Sequence, residues 1–290
     1  MPSATLVRLR LAPVVALLGL WAAPGREAAA EGVHYDVLVT SLSGTLVTGG
    51  FSHGDLSAFA PLRVFKGESL GVGTADPYQS SEEPGFEASS QAYLDGPAMT
   101  PSGVYTALSG STALTYTFQP ITIGASTRNL FFWSGTGAVN FTTLTGAESL
   151  SLIRSGFGGW TRTITGASAG VVNGATIDRT DADGEIHKHL TTEIASGGAG
   201  PATGFYLFAL QFQMSGLAPS ADAYFVYGAY DTENAPDLIA FEAAHDAAYD
   251  WVETTFIAVP EPATLALAVG GAVLAVGLLR RRRGAAALRE

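Results

Sequence analysis

Phe205-Tyr206-Leu207-Phe208-Ala209-Leu210-Gln211-Phe212-Gln213-Met214 is the most apolar run in the central part of the chain. Its second half alternates: Leu210, Phe212 and Met214 fall on one face of an extended chain, Gln211 and Gln213 on the other. A period of two marks a β-strand. Working outward, similar runs rich in Thr, Val, Tyr and Phe recur between glycine-containing turns. They predict strands at Tyr35–Thr40, Thr45–Thr48, Leu62–Lys66, Tyr105–Leu108, Leu114–Gln119, Asn129–Trp133, Val139–Leu144, Ser149–Arg154, Ile186–Ile194 and Tyr224–Tyr230. This number and spacing of short strands predicts an all-β body, an antiparallel β-sandwich.

Two stretches read differently. Gly71 to Ala98 is rich in Gly, Pro, Ser and Glu and is expected to be a long surface loop. Asp237 to Val252 carries Leu238, Phe241, His245, Ala248 and Val252 at three- and four-residue steps, which predicts one C-terminal helix with an apolar stripe.

Composition limits the chemistry. The chain has 290 residues, no cysteine and a formal net charge of −11. Residues 31–259 alone hold 7 Lys or Arg against 23 Asp or Glu, a net of −16. A surface this acidic argues against nucleic acid and against anionic lipid as partners. Without cysteine there is no thiol nucleophile, no thiolate metal site and no disulfide. No pair of carboxylates stands out as catalytic, and a non-enzymatic body is expected.

The basic residues concentrate at the ends. Arg8 and Arg10 precede an apolar stretch, Leu11 to Ala23, and Ala28-Ala29-Ala30 follow it. That order is a secretory signal peptide over residues 1–30, with small residues at Ala28 and Ala30 for cleavage. At the other end, Ala263 to Leu279 contains 17 residues without a charge, about 25 Å as a helix at roughly 1.5 Å per residue. This is close to the lower limit for a membrane span. Pro260 and Pro262 mark where that helix can begin. Arg280, Arg281, Arg282 and Arg283 stop transfer and stay on the cytoplasmic side.

Pro260-Glu261-Pro262, the short span and the arginine run, in this order within residues 257–283, resemble the PEP-CTERM sorting domain, also called the ice-binding protein C-terminal domain. The resemblance implies export by the Sec machinery, transient tethering in the membrane, and processing near Pro260-Glu261-Pro262 by an exosortase. It implies release of a body spanning residues 31–256 to the cell surface or extracellular matrix.

Among five histidines, His187 and His189 form a His-x-His pair in Gly184-Glu185-Ile186-His187-Lys188-His189-Leu190. On a strand, residues two apart share a face. The pair is therefore either half of a zinc site or two solvent-facing strand positions. His34 and Asp36 share a face of the first expected strand, so His34 is the candidate third ligand and Asp36 a candidate carboxylate. The segments HYDVLVTSLSGTLVTG from His34, NLFFWSGT from Asn129, and GEIHKHLTTEI followed by GFYLFALQF are similar to a zinc-regulated type of PEP-CTERM surface protein. That resemblance implies metal binding, with zinc as the metal, at His34, His187 and His189. Arg179-Thr180-Asp181-Ala182-Asp183-Gly184 lacks the ligands of a calcium loop, and Asp183-Gly184 reads instead as a hairpin turn into the His-x-His strand. His245 lies on the apolar stripe and is expected to be buried and hydrogen-bonded.

The expected function is that of an exported surface or matrix protein, with metal binding as a secondary role. The alternative is a secreted carbohydrate-active enzyme or sugar-binding protein acting on matrix polysaccharide, with Phe131, Phe132 and Trp133 as aromatic residues able to stack on sugar. Sorting has a direct check. In a host with an exosortase, mass spectrometry of the surface-released protein should find no residues beyond about Pro262. Peptides from Gly284 to Glu290 on the mature product would instead indicate a plain membrane anchor.

Overall fold

The computed structural model describes residues 35–72, 75–80, 83–144, 147–198, 200–234 and 236–257. The stretch expected to be a signal peptide (residues 1–30), the expected sorting segment from residue 258 onward, and His34 lie outside the described residues.

The chain opens with a meander of β1 (Asp36–Leu42), β2 (Thr45–Ser52) and β3 (Ser57–Phe59). Then come β4 (Val64–Gly71), β5 (Tyr78–Ser80), β6 (Gly85–Ala88), a one-turn helix α1 (Gln91–Leu94) and β7 (Met99–Thr100). The middle holds β8 (Ala113–Gln119), β9 (Ile121–Ile123), β10 (Ser126–Arg128), β11 (Phe131–Trp133) and β12 (Thr142–Thr143). β13 (Ser149–Arg154) and β14 (Trp160–Thr165) form a hairpin, followed by β15 (Val172–Arg179), β16 (Ile186–His189) and β17 (Thr191–Ala195). β18 (Gly204–Met214), β19 (Ala223–Asp231) and α2 (Leu238–Phe256) complete the body. It is mostly β with one substantial C-terminal helix.

A six-stranded sheet runs in the order β16-β6-β1-β2-β3-β7. An eleven-stranded sheet has β18 and β19 near its middle. β18 shows why its sequence is so apolar. Its even residues, Tyr206, Phe208, Leu210, Phe212 and Met214, belong to a core shared with Val37, Val39, Leu46, Phe86 and Ile186 of the six-stranded sheet. Phe86 meets Phe212 edge-on across that core at 5.7 Å. The odd residues Phe205, Leu207 and Ala209 pack into a second core with Phe241, Ala248 and Val252 of α2. A strand covered on both faces reads as a continuous apolar run, and the alternation returns only at Gln211 and Gln213, where the chain passes beyond the helix and pairs with β8.

The sheets are mixed rather than antiparallel. β1 runs parallel to β6, β3 to β7, and β4 to β19 over eight residue pairs. The parallel partners are far apart in sequence, and short-range alternation carries no signal of their direction. The expected loop at Gly71 to Ala98 instead contains β5, β6 and α1. Its core residues Tyr78, Phe86, Ala88 and Leu94 are buried among the Gly, Pro and Glu that suggested a loop. Several of those glycines are close-approach positions. A Cβ on Gly71 would lie 1.8 Å from the ring of Tyr78.

The expected strand Ile186–Ile194 is two strands in different sheets. β16 pairs with β6 in one, and β17 pairs with β5 and β13 in the other. Between them Leu190 is buried and donates its N–H to the Pro84 carbonyl at 3.1 Å. The segments around residues 78–88 and 186–195 therefore turn from one sheet to the other together. The turn before β16 forms around Asp181, whose Oδ1 accepts the N–H groups of Asp183 and Glu185 at 2.9 Å each. Gly184 there has φ +87°, which favours glycine. The turn joins strands of two sheets and is not a hairpin. Tyr105–Leu108 forms only a bridge to Ser41, and Val139–Leu144 shortens to β12.

α2 begins at Asp237, whose carboxylate accepts the N–H groups of Ile239 and Ala240, a standard N-cap. Phe241, His245, Ala248 and Val252 are buried as the stripe predicts, while Leu238 is 51% exposed. His245 donates Nε2–H to the Val226 carbonyl at 2.8 Å. Burial pushes its pKa down to about 4, opposed by that hydrogen bond. The folded state thus favours neutral imidazole. Unfolding takes up a proton as pH falls through the ordinary value of about 6.5, so this stabilisation is complete above about 6.5 and is lost toward about 4. The loss amounts to roughly 3 kcal/mol at most. Thermal midpoints measured between pH 7 and 4.5 should fall less steeply for His245→Gln than for the parent, although the variant starts from a lower midpoint at pH 7.

Candidate metal centre

β1, β6 and β16 lie side by side, and their inward residues Val37, Phe86, Ala88 and Ile186 fill the shared core. The alternate residues face out: Asp36 from β1, Gly85 and Glu87 from β6, His187 and His189 from β16. Register places His189 opposite Gly85 and His187 opposite Glu87. Gly85 has no side chain, so Asp36 and His189 reach toward each other across it. His189 Nε2 comes within 3.7 Å of Asp36 Oδ2. A Cβ on Gly85 would lie 2.0 Å from Asp36 Oδ1, so only glycine leaves room for that carboxylate.

The fourth member comes from the turn after β2. His53 Nε2 meets Asp36 Oδ2 at 2.7 Å, and its ring packs edge-on against Phe51 at 4.9 Å. The three imidazoles cluster, with ring centroids 5.0 Å apart for His53 and His187, 4.9 Å for His187 and His189, and 6.2 Å for His53 and His189. One donor atom from each of Asp36, His53, His187 and His189 lies within 4.8 Å of the other three. Donors around a tetrahedral zinc ion with bonds of about 2.1 Å stand roughly 3.4 Å apart. Side-chain rotation of exposed imidazoles covers that difference.

Glu87 supports the arrangement. His187 donates Nδ1–H to Glu87 Oε2 at 3.0 Å. That leaves Nε2 of His187 free to bind a metal. A histidine whose other nitrogen is held by a carboxylate is the usual state of a metal ligand. Burial pushes the Glu87 carboxyl above its ordinary value, and the hydrogen bond and charge of His187 oppose the shift. Asp36 is buried, whereas the side chains of His53 and His187 are 45% and 56% exposed. The centre is therefore open on one side.

This donor set suits a borderline divalent ion such as Zn²⁺ better than Ca²⁺ or Mg²⁺, which prefer all-oxygen shells.

His187 and His189 are brought together as their spacing predicts. Asp36, named as a candidate carboxylate, joins them. His34 lies outside the described residues. His53 had no sequence signal, because Phe51-Ser52-His53-Gly54-Asp55 reads as a strand end and a turn. Glu87 lay in the stretch expected to be a loop. A second group, Glu68, Glu242 and His245, lies where β4 meets α2. Nε2 of its histidine is spent on Val226, and the half-buried Lys66 supplies a cation beside Glu242, so this group belongs to the helix packing.

No family model matches the chain, and no curated protein matches it.

Gly85→Ala tests the geometry without removing a ligand. If the four donors hold a divalent ion, the change should lower its affinity roughly tenfold or more, the usual range for disturbing a supporting residue, while circular dichroism retains the parent β signal.

Proposed function

We propose that this chain is an exported, non-enzymatic protein displayed at the cell surface or in extracellular matrix. Its β-rich body, a sandwich in the broad sense, binds a zinc-type divalent ion through Asp36, His53, His187 and His189. The observation that carries the metal role is the convergence of three imidazoles and one carboxylate from three separate regions of the chain. Glu87 fixes one imidazole and Gly85 makes room for the carboxylate.

The routing rests on the sequence. Residues 1–30 act as signal peptide, 31–256 as exported body and 257–283 as sorting segment, with Sec machinery and an exosortase as transient partners. The absence of cysteine fits a metal role outside the cell, since imidazole and carboxylate do not oxidise as thiolates do. The ion would tie the turn after β2 to β16, two regions more than a hundred residues apart. Binding to the folded state alone raises its stability by about 2.7 kcal/mol at a hundredfold excess over Kd.

Calorimetric titration of the full-length chain with Zn²⁺ should give one site of micromolar or tighter affinity. His53→Ala, His187→Ala and His189→Ala should each weaken it at least tenfold. Thermal midpoint should rise with added Zn²⁺ and return on chelation. The affinity should fall on acidification, because protons compete for the imidazoles. Absence of binding, or binding indifferent to all three changes, would remove the metal role.

A further inference from the structure

At the far end of the eleven-stranded sheet, β12 is the edge strand and β11 its neighbour. The connection between them borders an open cleft of about 290 Å³. This is near the lower end of the roughly 300–1,000 Å³ of small-ligand sites. Phe132 and its cross-strand partner Thr142 form one wall. Ser134, Thr136 and Asn140 supply hydroxyl and amide groups around the rim, and no charged side chain lines it.

The aromatic wall is held from behind. Tyr206 packs on Phe132 with ring centroids 5.0 Å apart. Gly204 lies against the ring so closely that a Cβ there would come within 2.7 Å of it. The connection is pinned as well: Trp133 donates Nε1–H to the Thr136 carbonyl at 3.3 Å, and the Ser134 and Thr136 hydroxyls are 2.9 Å apart. The carboxamide of Asn140, exposed, meets no hydrogen-bond partner among the described residues.

We propose that this edge cleft binds a neutral saccharide, with one sugar ring seated on Phe132 and its hydroxyls met by Asn140, Ser134 and Thr136. A sugar offers a face of weakly positive C–H groups suited to the negative face of an aromatic ring. It also offers a rim of hydroxyls that need both donors and acceptors, which a carboxamide and hydroxyls provide. The uncharged lining has no cation to pair with a uronate or phosphate, and the chain's net charge of −11 repels polyanions. Because the cleft opens along a sheet edge, a longer polysaccharide can run past it and present a single ring or branch. The site is separate from the metal centre, which is built on the other sheet.

The test uses the full-length chain on an array of neutral glucan, mannan and galactan oligosaccharides beside uronate-containing ones, followed by calorimetry with the best binder. Neutral oligosaccharides should bind, uronates should not, and neither chelation nor His187→Ala should change the affinity. Phe132→Ala should weaken binding by roughly tenfold or more, as expected for loss of an aromatic anchor. Asn140→Trp fills the cavity from an exposed position and should abolish binding while circular dichroism stays that of the parent. The proposal fails if no neutral saccharide binds, if uronates bind better, or if Asn140→Trp binds as the parent does.

Discussion

Burial of β18 on both faces is the constraint on which the rest of the body depends. One face of that strand needs the six-stranded sheet and the other needs α2. Satisfying both fixes three layers in order: sheet, sheet, helix. Each fully buried large side chain contributes on the order of 1.5–3 kcal/mol. The even face of β18 alone commits Tyr206, Phe208, Leu210 and Phe212, all buried to within 0% exposure. A chain without disulfides has no other comparable source of cohesion.

That layering also decides where chemistry can lie. The inner face of the six-stranded sheet is apolar, so its polar alternates are forced outward. Asp36, Glu87, His187 and His189 are those alternates on three neighbouring strands. They meet because β1 and β6 are parallel while β6 and β16 are antiparallel, which sets Asp36, Gly85 and His189 in one row. The bend at Leu190 keeps the His-x-His strand in this sheet and sends the following five residues into the other. The candidate metal centre is thus a consequence of the corner in the chain as much as of the histidines themselves.

The two candidate sites use different physics. At the metal centre, like groups are gathered close and a cation would relieve the crowding of lone pairs and carboxylate charge. At the β11–β12 edge, charge is excluded and a rigid ring is offered with neutral donors and acceptors. An acidic body can hold both without conflict, since each responds to a different property of a ligand.

Much was legible in the sequence where the signal is local. The apolar run Phe205–Met214, alternating at its end, marked a strand with Leu210, Phe212 and Met214 on one face. The stripe from Phe241 to Val252 gave the helix, with His245 buried in it. The two-residue spacing of His187 and His189 put both imidazoles on one face. These follow from the fixed periods of strand and helix, which act over a few residues. What only the tertiary structure decided is everything set by pairing across the chain: the parallel partners, β5 and β6 hidden in a Gly- and Pro-rich stretch, the split of Ile186–Ile194 between two sheets, and the arrival of His53 beside Asp36. Residues 53 and 187 have no periodic relation, and a glycine such as Gly85 reads as flexibility until the carboxylate that needs its empty space is seen. Local geometry determined the elements, and long-range packing determined which of their polar residues meet.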